Sequence, residues 1–494
     1  MAISHDSNLD NSPILQVDFE KNKGLSLSTI WKPLEAIACK TYRRSIIMTL
    51  KPSFLNPSSK PRKVHPTSWL DGVRGYASFF VFLFHFQHCF NFRWLVGYGS
   101  EDRGGNNYGF TQLPIIRLTY AGQANVAIFW VLSGISLSLK PIELARSKSW
   151  EKFLDAMFSS IFRRGMRLYI PVLIVQTCVL IAACLGFYNH AWELTQEWPF
   201  EGVNETQFEI FETSMQQITD WIQAMLELLN PFIQTFPKYD IHLWTIQREF
   251  QYSMILFVAL VGFAKLRPRI RITLTAGLFA YCMKVGQGDI ALFIAGMGLA
   301  EFLQIRVQNA EHAERLPSIE KHTEENQNHV PTVFWCVLLY IGLHLLSWPY
   351  EGAETSPGYI ALSNAFTDFN SEEDQRQVIG DQCRRVGAAV FLFSLCGCEW
   401  FRKPFLTSTA MYLGKISFPL YILHGPVNHV IGHPLVEFIW TLTGNETPFL
   451  YSFGIGLAFT ISAVVVVWLS DIVSRVVDAP SVRFGRSLQE KWSY

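Results

Sequence analysis

The feature that most constrains this chain is a succession of apolar stretches, each about as long as one helical crossing of a lipid bilayer. A spanning helix needs about 20 mostly apolar residues, because the hydrocarbon core is about 30 Å thick. The stretches that fit fall at residues 76–92, 120–139, 168–187, 243–263, 270–283, 288–305, 332–348, 386–401, 411–432 and 450–470. We therefore predict an all-α fold, a polytopic membrane helical bundle of about ten transmembrane helices.

Composition supports a lipid bilayer as the main partner of the chain. Hydrophobic residues make up 49% of it, more than one water-soluble core of this size requires. The formal net charge is zero, so the chain lacks the positive field that draws proteins to phosphate backbones. Nucleic acid is excluded as an expected partner.

The basic residues predict how the bundle is oriented. They concentrate before the first stretch, between the second and third, and between the fourth and fifth, and positively charged loops stay in the cytosol. The segment 188–241 has Lys238 as its single basic residue, and the segment 433–449 has none. These two segments are predicted to be lumenal, and both termini to be cytosolic.

Each predicted lumenal segment contains one sequon for N-glycosylation. Asn204 and Asn445 are the acceptor residues, each followed by Glu and Thr. Because sugar is attached on the lumenal side, the sequons agree with the orientation that the charges indicate. Both are candidate glycosylation sites, and we expect a multi-pass protein of the endoplasmic reticulum.

Three regions are expected along the chain. Residues 1–65 are polar and lack the apolar core of a signal peptide, which predicts a flexible cytosolic tail. Residues 66–488 form the membrane domain, and residues 489–494 the C-terminal end. The cysteines lie mostly in apolar stretches, and Cys396-Gly-Cys398 is too closely spaced for a zinc site, so no metal is expected.

The first apolar stretch has three ionisable residues on one helical stripe. Arg74 and His85 are eleven residues apart, about three turns and roughly 16 Å along the axis, so they share a face. His85 is thus expected near mid-membrane, with Asp71 close to the same stripe. Such residues are costly in a bilayer and usually functional. The alternatives are a structural hydrogen bond for His85, and an interfacial anchor or local ion pair for Asp71 and Arg74.

Several motifs occur in the order found in one enzyme family. They are Leu-Asp-Gly-Val-Arg-Gly at 70–75 followed by His85, Phe-Trp-Val-Leu-Ser-Gly at 129–134, Arg-Gly-Met-Arg at 164–167, His-Leu-Trp at 242–244 with Glu249 and Tyr252, Ser-Phe-Pro-Leu-Tyr-Ile-Leu-His at 417–424, and Asp-Ala-Pro at 478–480. The chain resembles the acyltransferase 3 family, in a fungal-type form without a fused esterase-like domain. The 242–252 segment departs from the family pattern, with Thr245-Ile246 where Ser-Leu is usual.

The resemblance implies transfer of an acyl group, most often acetyl, from acyl-CoA to a hydroxyl. A histidine of near-neutral pKa suits removal of the hydroxyl proton, so His85 is the expected base. Arg164 and Arg167 share a helix face at the predicted cytosolic end and would bind the phosphates of the donor. The alternative for this pair is an orientation signal alone.

Further candidates come from the later motifs. Glu249 lies in an apolar stretch and would pair with His85, Arg74 or the acceptor hydroxyl, or else hold two helices together. Supporting roles are expected for Ser133, Trp244, Tyr421 and His424, where Tyr421 and His424 could join a polar seam with His85 or serve only in packing. His429 and His433 are expected at the membrane interface.

The predicted function is thus a membrane-bound O-acyltransferase with acyl-CoA as co-substrate. A lipophilic small-molecule alcohol, such as a fungal terpenoid, is the expected acceptor, and a sterol or a glycan is the alternative. A transporter is the competing class, although the chain lacks the matched pair of Gly/Pro-broken helices and the internal repeat typical of transporters. A catalytically silent sensor is a third possibility, which Asp71, Arg74 and His85 argue against.

Overall fold

The computed structural model describes residues 49–55, 65–233, 235–315, 330–366 and 373–493. Its helices are α1 (Ser68–Gln87), α2 (Gly122–Arg146), α3 (Trp150–Cys184), α4 (Asn189–Gln196), α5 (Ser214–Leu229), α6 (Trp244–Phe263), α7 (Pro268–Lys284), α8 (Gly288–Arg315), α9 (Thr332–Leu346), α10 (Ile360–Phe366), α11 (Glu373–Gly397), α12 (Ser408–Val427), α13 (His433–Thr443), α14 (Pro448–Val473) and α15 (Ala479–Trp492). All belong to the unit formed by residues 60–494. The all-α prediction is confirmed. Most of the tail predicted at 1–65 lies outside the described residues.

Each apolar stretch lies on a helix, but several helices extend beyond their stretch. Helix α3 begins at Trp150 rather than near residue 168, and α11 begins at Glu373 rather than near residue 386. Hydropathy detects only the part of a helix that is apolar all round, whereas a helix can continue into water with a polar face. Helix α1 instead ends early, at Gln87, because a turn follows in which the Asn91 side chain accepts from the Arg93 amide.

Four described helical segments are long and apolar enough to cross a bilayer. They are Gly122–Arg146, Trp150–Cys184, Gly288–His312 and Pro448–Trp492. Helix α9 is apolar but shorter. Length and composition therefore support membrane insertion without confirming the predicted number of ten crossings.

Glycines set the closest helix contacts of the bundle. A Cβ added to Gly134 of α2 would overlap the Phe293 carbonyl oxygen of α8, and one added to Gly296 would overlap the Val131 carbonyl of α2. Helices in membranes pack most tightly through such small residues, because no side chain separates the backbones. The Gly134 of the family-like motif is therefore a packing residue between α2 and α8.

The same reasoning explains the glycines of the first motif. A Cβ on Gly72 would overlap the Phe405 carbonyl oxygen, and one on Gly75 would overlap the Gly414 amide nitrogen in α12. Helix α1 is thereby held against α12. The ionisable residues of α1 are thus placed by a helix contact that only glycine permits.

A buried ion triad joins three helices at the other side of the bundle. Arg271 donates through Nε and Nη2 to the two carboxylate oxygens of Glu301, each at 2.8 Å. Arg146 donates to the same carboxylate at 2.5 Å. Because buried charges must be paired, this triad fixes the register of α2, α7 and α8.

Candidate active site

Helix α1 carries the three residues singled out from its sequence. Arg74 donates through Nη1 to Asp71 Oδ1 at 3.1 Å and through Nη2 to Ser136 Oγ of α2 at 3.0 Å. His85 lies in the last turn of α1. The helix ends two residues later, at Gln87, and His85 contacts the loop between α4 and α5. Its depth in the membrane stays a prediction.

That loop supplies a buried carboxylate, Glu205. Its Oε1 is 2.8 Å from His85 Nδ1 and 3.3 Å from His88 Nε2. A carboxylate only accepts, so the His85 Nδ1–H donates to Glu205 and leaves His85 Nε2 as the unprotonated nitrogen. The side chain of His85 is 20% exposed, whereas that of Glu205 is 2% exposed. This pair therefore presents one basic nitrogen at the accessible side of a buried cluster.

A second histidine–carboxylate pair adjoins the first. His242, in the turn Ile241–Leu243 before α6, donates through Nδ1 to Asp240 Oδ1 at 2.7 Å. Its Nε2 is 3.0 Å from His85 Nδ1 and 3.3 Å from Glu205 Oε1. Burial lowers the pKa of His242, but Glu205 and Asp240 outweigh it and raise that pKa to about 10. His242 is therefore an imidazolium that donates, and its charge lies beside the His85 ring.

The ionised state of Glu205 follows from the same contacts. Burial alone would raise its pKa, yet the charge of His242 and the hydrogen bonds from His242 and His85 hold that pKa well below its usual range. An ionised carboxylate in this position stabilises an imidazolium that forms on His85 when it takes a proton.

Backbone contacts place Glu205 beside α1. The Gly202 amide donates to the Cys89 carbonyl at 3.1 Å, and the Val203 amide donates to the His88 carbonyl at 2.9 Å. A Cβ on Gly202 would overlap the His88 carbonyl oxygen. The glycine thus lets the loop dock on the end of α1 and delivers Glu205 three residues later.

Helix α12 closes the cluster from another side. The Tyr421 hydroxyl donates to the His242 carbonyl at 2.6 Å and accepts from Thr245 Oγ1 at 2.7 Å. The His424 ring is 4.6 Å from the His242 ring and 5.3 Å from the His85 ring, between centroids. The structure therefore brings Tyr421 and His424 together with His85, as the seam hypothesis expected.

Two histidines expected at the membrane interface are buried. His429 Nε2 is 3.8 Å from Glu205 Oε2, and the His433 ring packs against Trp198 and Phe200. A π-helical segment, Asn428–Gly432, lies between α12 and α13 and contains His429. The position of both histidines relative to the membrane interface stays a prediction. Such π-helical segments are frequent at functional sites.

Glu249 has a different partner from those expected. Its Oε1 accepts from Arg164 Nη2, and Arg164 also donates through Nε to Ser253 Oγ at 2.9 Å. It is not His85 that pairs with Glu249, and Arg74 acts on it only through longer-range electrostatics. Arg164 is buried, whereas Arg167 is exposed. The Arg164–Glu249 pair joins α3 to α6, as the structural alternative for Glu249 proposed.

Two supporting candidates lie away from the histidines. Ser133 is half-buried in α2, one turn before Ser136, which accepts from Arg74. The Trp244 ring lies 4.5 Å from the Arg248 guanidinium and 6.3 Å from the Trp130 ring. Both candidates therefore line the helix surfaces beside the cluster rather than the cluster itself.

The two candidate glycosylation sites are on the surface. Asn204 and Asn445 are exposed, and the Asn204 side-chain amide donates to the Thr195 carbonyl at 2.9 Å. Asn204 thus precedes the buried Glu205 directly, with the two side chains on opposite sides of the loop.

Sequence reasoning did not single out Glu205, Asp240 or the central position of His242. Asp240 stands two residues before His242, a spacing at which a carboxylate can cap a turn and bond the ring, so this pair had a local signal. Glu205 had none, because its role depends on contacts between residues that are 120 positions apart.

The clustered side chains also have the residue types of a metal site. The donor atoms of His85, His242 and His424 lie within 4.8 Å of one another, as do those of His85, His88 and Glu205. In a tetrahedral zinc site, bonds of about 2.0–2.1 Å keep donor atoms more than about 3 Å apart. The 2.8 Å between His85 Nδ1 and Glu205 Oε1 is a hydrogen-bond distance. His85 and Glu205 are thus a hydrogen-bonded pair, and the expectation that no metal is bound stays a prediction.

A helical bundle with apolar spans and a buried histidine–carboxylate cluster has the features of one class, the membrane-embedded enzymes. The particular family follows from comparison with known proteins. The acyltransferase domain model matches residues 67–468, and the chain belongs to the acyltransferase 3 family. It is an integral membrane acyltransferase of helical architecture.

Curated relatives cover most of this chain. O-acetyltransferase PaAT-1 of Phomopsis amygdali is 29% identical over 90% of this chain and 88% of its own length. Acyltransferase clz18 of Cochliobolus lunatus is 24% identical over 86% of this chain and 95% of its own length. No solved structure matches the chain.

Proposed function

We propose that the protein is an acyl-CoA-dependent O-acyltransferase that moves an acetyl or other short acyl group to a hydroxyl of a lipophilic small molecule. The observation that carries the proposal is the His85–Glu205 pair, which leaves His85 Nε2 as the accessible basic nitrogen of a buried cluster. An orienting carboxylate behind an imidazole is the arrangement that general-base catalysis on a hydroxyl requires.

In the proposed reaction, His85 both removes the proton and returns it. His85 Nε2 takes the proton of the acceptor hydroxyl, and the oxygen attacks the thioester carbonyl carbon. The C–S bond then breaks, and the His85 imidazolium returns the proton to the thiolate of coenzyme A. His242, held as an imidazolium by two carboxylates, adds positive charge beside the site where the oxyanion forms. The same imidazole could instead carry the acyl group transiently, as an acyl-enzyme route requires.

The donor would be bound on the predicted cytosolic side. Arg74, Arg164 and Arg167 act on one another electrostatically, with Glu249 as the nearby carboxylate. Guanidinium groups suit phosphate recognition. Arg74 lies eleven residues from His85 on α1, about 16 Å along the helix, and the pantetheine arm of coenzyme A is an extended chain able to reach over such a distance.

An apolar cavity beside α1 agrees with a lipophilic acceptor, and its lining is separate from the histidine cluster. It encloses about 700 Å³ on the opposite face of α1 and is lined by Val73, Ala77, Phe80, Leu343 and Phe391 among others. Hydrocarbon skeletons partition into such cavities without loss of hydrogen bonds. A terpenoid or related fungal metabolite fits this chemistry, with the protein in the endoplasmic reticulum membrane and its termini cytosolic.

The test is acyl transfer by purified protein with His85 replaced by Ala or Gln. Removal of the base should lower kcat by about a hundredfold or more, without loss of the folded protein on size-exclusion chromatography. His190→Gln is the matched control, because His190 is an exposed lumenal-side residue paired with Glu437 at 2.9 Å.

Near-normal turnover of the His85 variants would contradict the assignment. Solute uptake into sealed vesicles by wild-type protein, without release of coenzyme A, would favour the transporter class instead.

A further inference from the structure

The C-terminal helix α15 packs on the segment of α3 that contains the family-like arginine motif. Ser159 Oγ donates to Gln489 Oε1 at 3.0 Å, and the Phe162 and Trp492 rings meet edge to face at 6.2 Å. Gly485 lies over Arg163, since a Cβ there would be 3.9 Å from Arg163 Cγ. Helix α15 therefore packs on α3 at a defined register, through contacts of specific side chains.

This docking brings like charges together. Arg163 is repelled by Arg486 of α15 and by Arg167 of its own helix. Asp478 is the carboxylate that acts on Arg167, and Arg163 donates through Nε to the Ser159 carbonyl at 3.1 Å. Three guanidinium groups thus act on one another where α15 packs on α3, and the half-buried Asp478 acts on Arg167. Such a concentration of positive charge costs stability unless an anion occupies it.

The position of this arginine cluster, defined as Arg163, Arg167 and Arg486, indicates which anion. Arg167 and Arg163 flank the buried Arg164, which interacts electrostatically with Arg74 on the stripe that leads to His85. The cluster is therefore the outer end of a continuous row of guanidinium groups. A ligand that starts at the cluster and extends along the row ends near the proposed base.

A π-helical segment determines which side of α15 carries Arg486. Residues Ser474–Asp478 form it between α14 and α15, and π-helical segments rotate the helix that follows and often mark functional sites. Without the extra residue that it accommodates, Arg486 would face a different side of α15, because one residue turns a helix by about 100°.

We propose that Arg163, Arg167 and Arg486 bind the phosphate groups of the nucleotide part of acyl-CoA, which makes the C-terminal helix part of the donor site. This inference rests on the proposed function, because it assumes the acyl-CoA donor. It adds two residues, Arg163 and Arg486, that the sequence motifs do not include. Guanidinium forks match both the diphosphate and the ribose phosphate of this nucleotide.

The experiment measures dissociation constants on the full-length protein purified in a neutral detergent. The probes are coenzyme A, adenosine 3′,5′-bisphosphate and pantetheine. In an Arg163→Gln, Arg486→Gln double variant, the Kd for the first two should rise about tenfold, as expected for the loss of charge-assisted hydrogen bonds. The Kd for pantetheine should stay unchanged, since pantetheine carries no phosphate.

Lys491→Gln is the matched control, because it removes one positive charge from the same helix about 140° away from Arg486. It should leave all three constants unchanged, and Arg486→Lys should retain part of the affinity. Thermal unfolding of each variant verifies that α15 is still docked.

Three results would overturn the inference. In the first, the double variant loses affinity for pantetheine and for coenzyme A equally. In the second, the double variant loses no affinity for either nucleotide probe. The third is a loss that appears only in nanodiscs containing phosphatidylserine, which would identify a lipid headgroup as the source of the phosphate. If the proposed function were wrong, the wild-type protein would show no acyl transfer. The dissociation constants of the nucleotides do not depend on turnover, so they test the arginine cluster separately.

Discussion

At the scale of single residues, the accessible side chain of the site is an imidazole, whereas the charged carboxylate is buried. His85 is the partly exposed member, while Glu205 and His242 are buried, and Glu205 accepts from both imidazoles. A proton on His85 would be stabilised by the ionised Glu205 without contact between that carboxylate and the acceptor. This division leaves an imidazole at the accessible side of the cluster and places its compensating charge behind it.

Glu205→Gln tests this arrangement, and the change preserves the sequon at Asn204. Loss of the buried charge should reduce kcat about a hundredfold and destabilise the fold by about 3 kcal/mol, since the facing imidazoles lose their partner. The folded-state pKa of Glu205 is depressed, so its stabilising effect is present above the usual value near 4.5 and is lost as the pH falls below it.

The measurement is thermal unfolding of wild-type and variant protein over a range of pH. The difference between the two Tm values should be largest near neutral pH and should become smaller in acid. Glu209→Gln is the control, because Glu209 is an exposed carboxylate four residues later in the same loop. A Tm difference that is independent of pH would contradict an ionised Glu205 in the folded protein.

At the scale of elements, glycines decide which residues of distant motifs meet. A Cβ on Gly425 would reach the Asp240 carboxylate and the His242 ring, so this glycine lets α12 approach the second histidine–carboxylate pair. Gly202 does the same for the loop that carries Glu205. The motifs therefore contain two kinds of residue, those that act in the cluster and those that allow backbones to approach.

This distinction explains how far the sequence predicts the site. The shared face of Arg74 and His85 follows from helical spacing, which is local, and it could be predicted. The Glu205 contact depends on backbone hydrogen bonds between the loop and the end of α1, which no periodicity encodes. The partner of Glu249 could not be predicted either, because the relative depth of α3 and α6 is set by packing.

Gly134→Val tests the helix contact between α2 and α8. The added side chain would meet the backbone of α8, which cannot move aside as a flexible side chain would, so the helices must separate. Overpacking of this kind costs about 1–3 kcal/mol, and the Tm of the purified protein should fall by several degrees.

Gly262→Val in α6 is the matched control, since nothing lies within 4 Å of a Cβ at that position. It carries the same change in helix propensity without the overlap. Equal destabilisation by both substitutions would show that propensity, rather than the α2–α8 contact, determines the effect.

At the scale of the whole molecule, the two chemical centres lie near opposite ends of α1, because Arg74 and His85 are about three helical turns apart. The histidine cluster includes Glu205 and Asp240 from the segment predicted to be lumenal, whereas the arginines lie near the motif predicted to be cytosolic. A donor restricted to the cytosol would reach the cluster only through the bundle. Donor and acceptor could then approach His85 from opposite sides of the membrane, which makes orientation a functional property of this enzyme.

The orientation can be measured with two cysteine variants in sealed microsomes whose cytosolic face is outward. Lys152→Cys at the start of α3 should react with a membrane-impermeant thiol reagent, because positively charged segments remain cytosolic. Gln223→Cys in α5 should react only after the membrane is permeabilised. Both positions are exposed, so burial cannot account for a difference, and the parent protein corrects for native cysteines. The reverse pattern would place Glu205 on the cytosolic side and require donor and acceptor to enter from the same side.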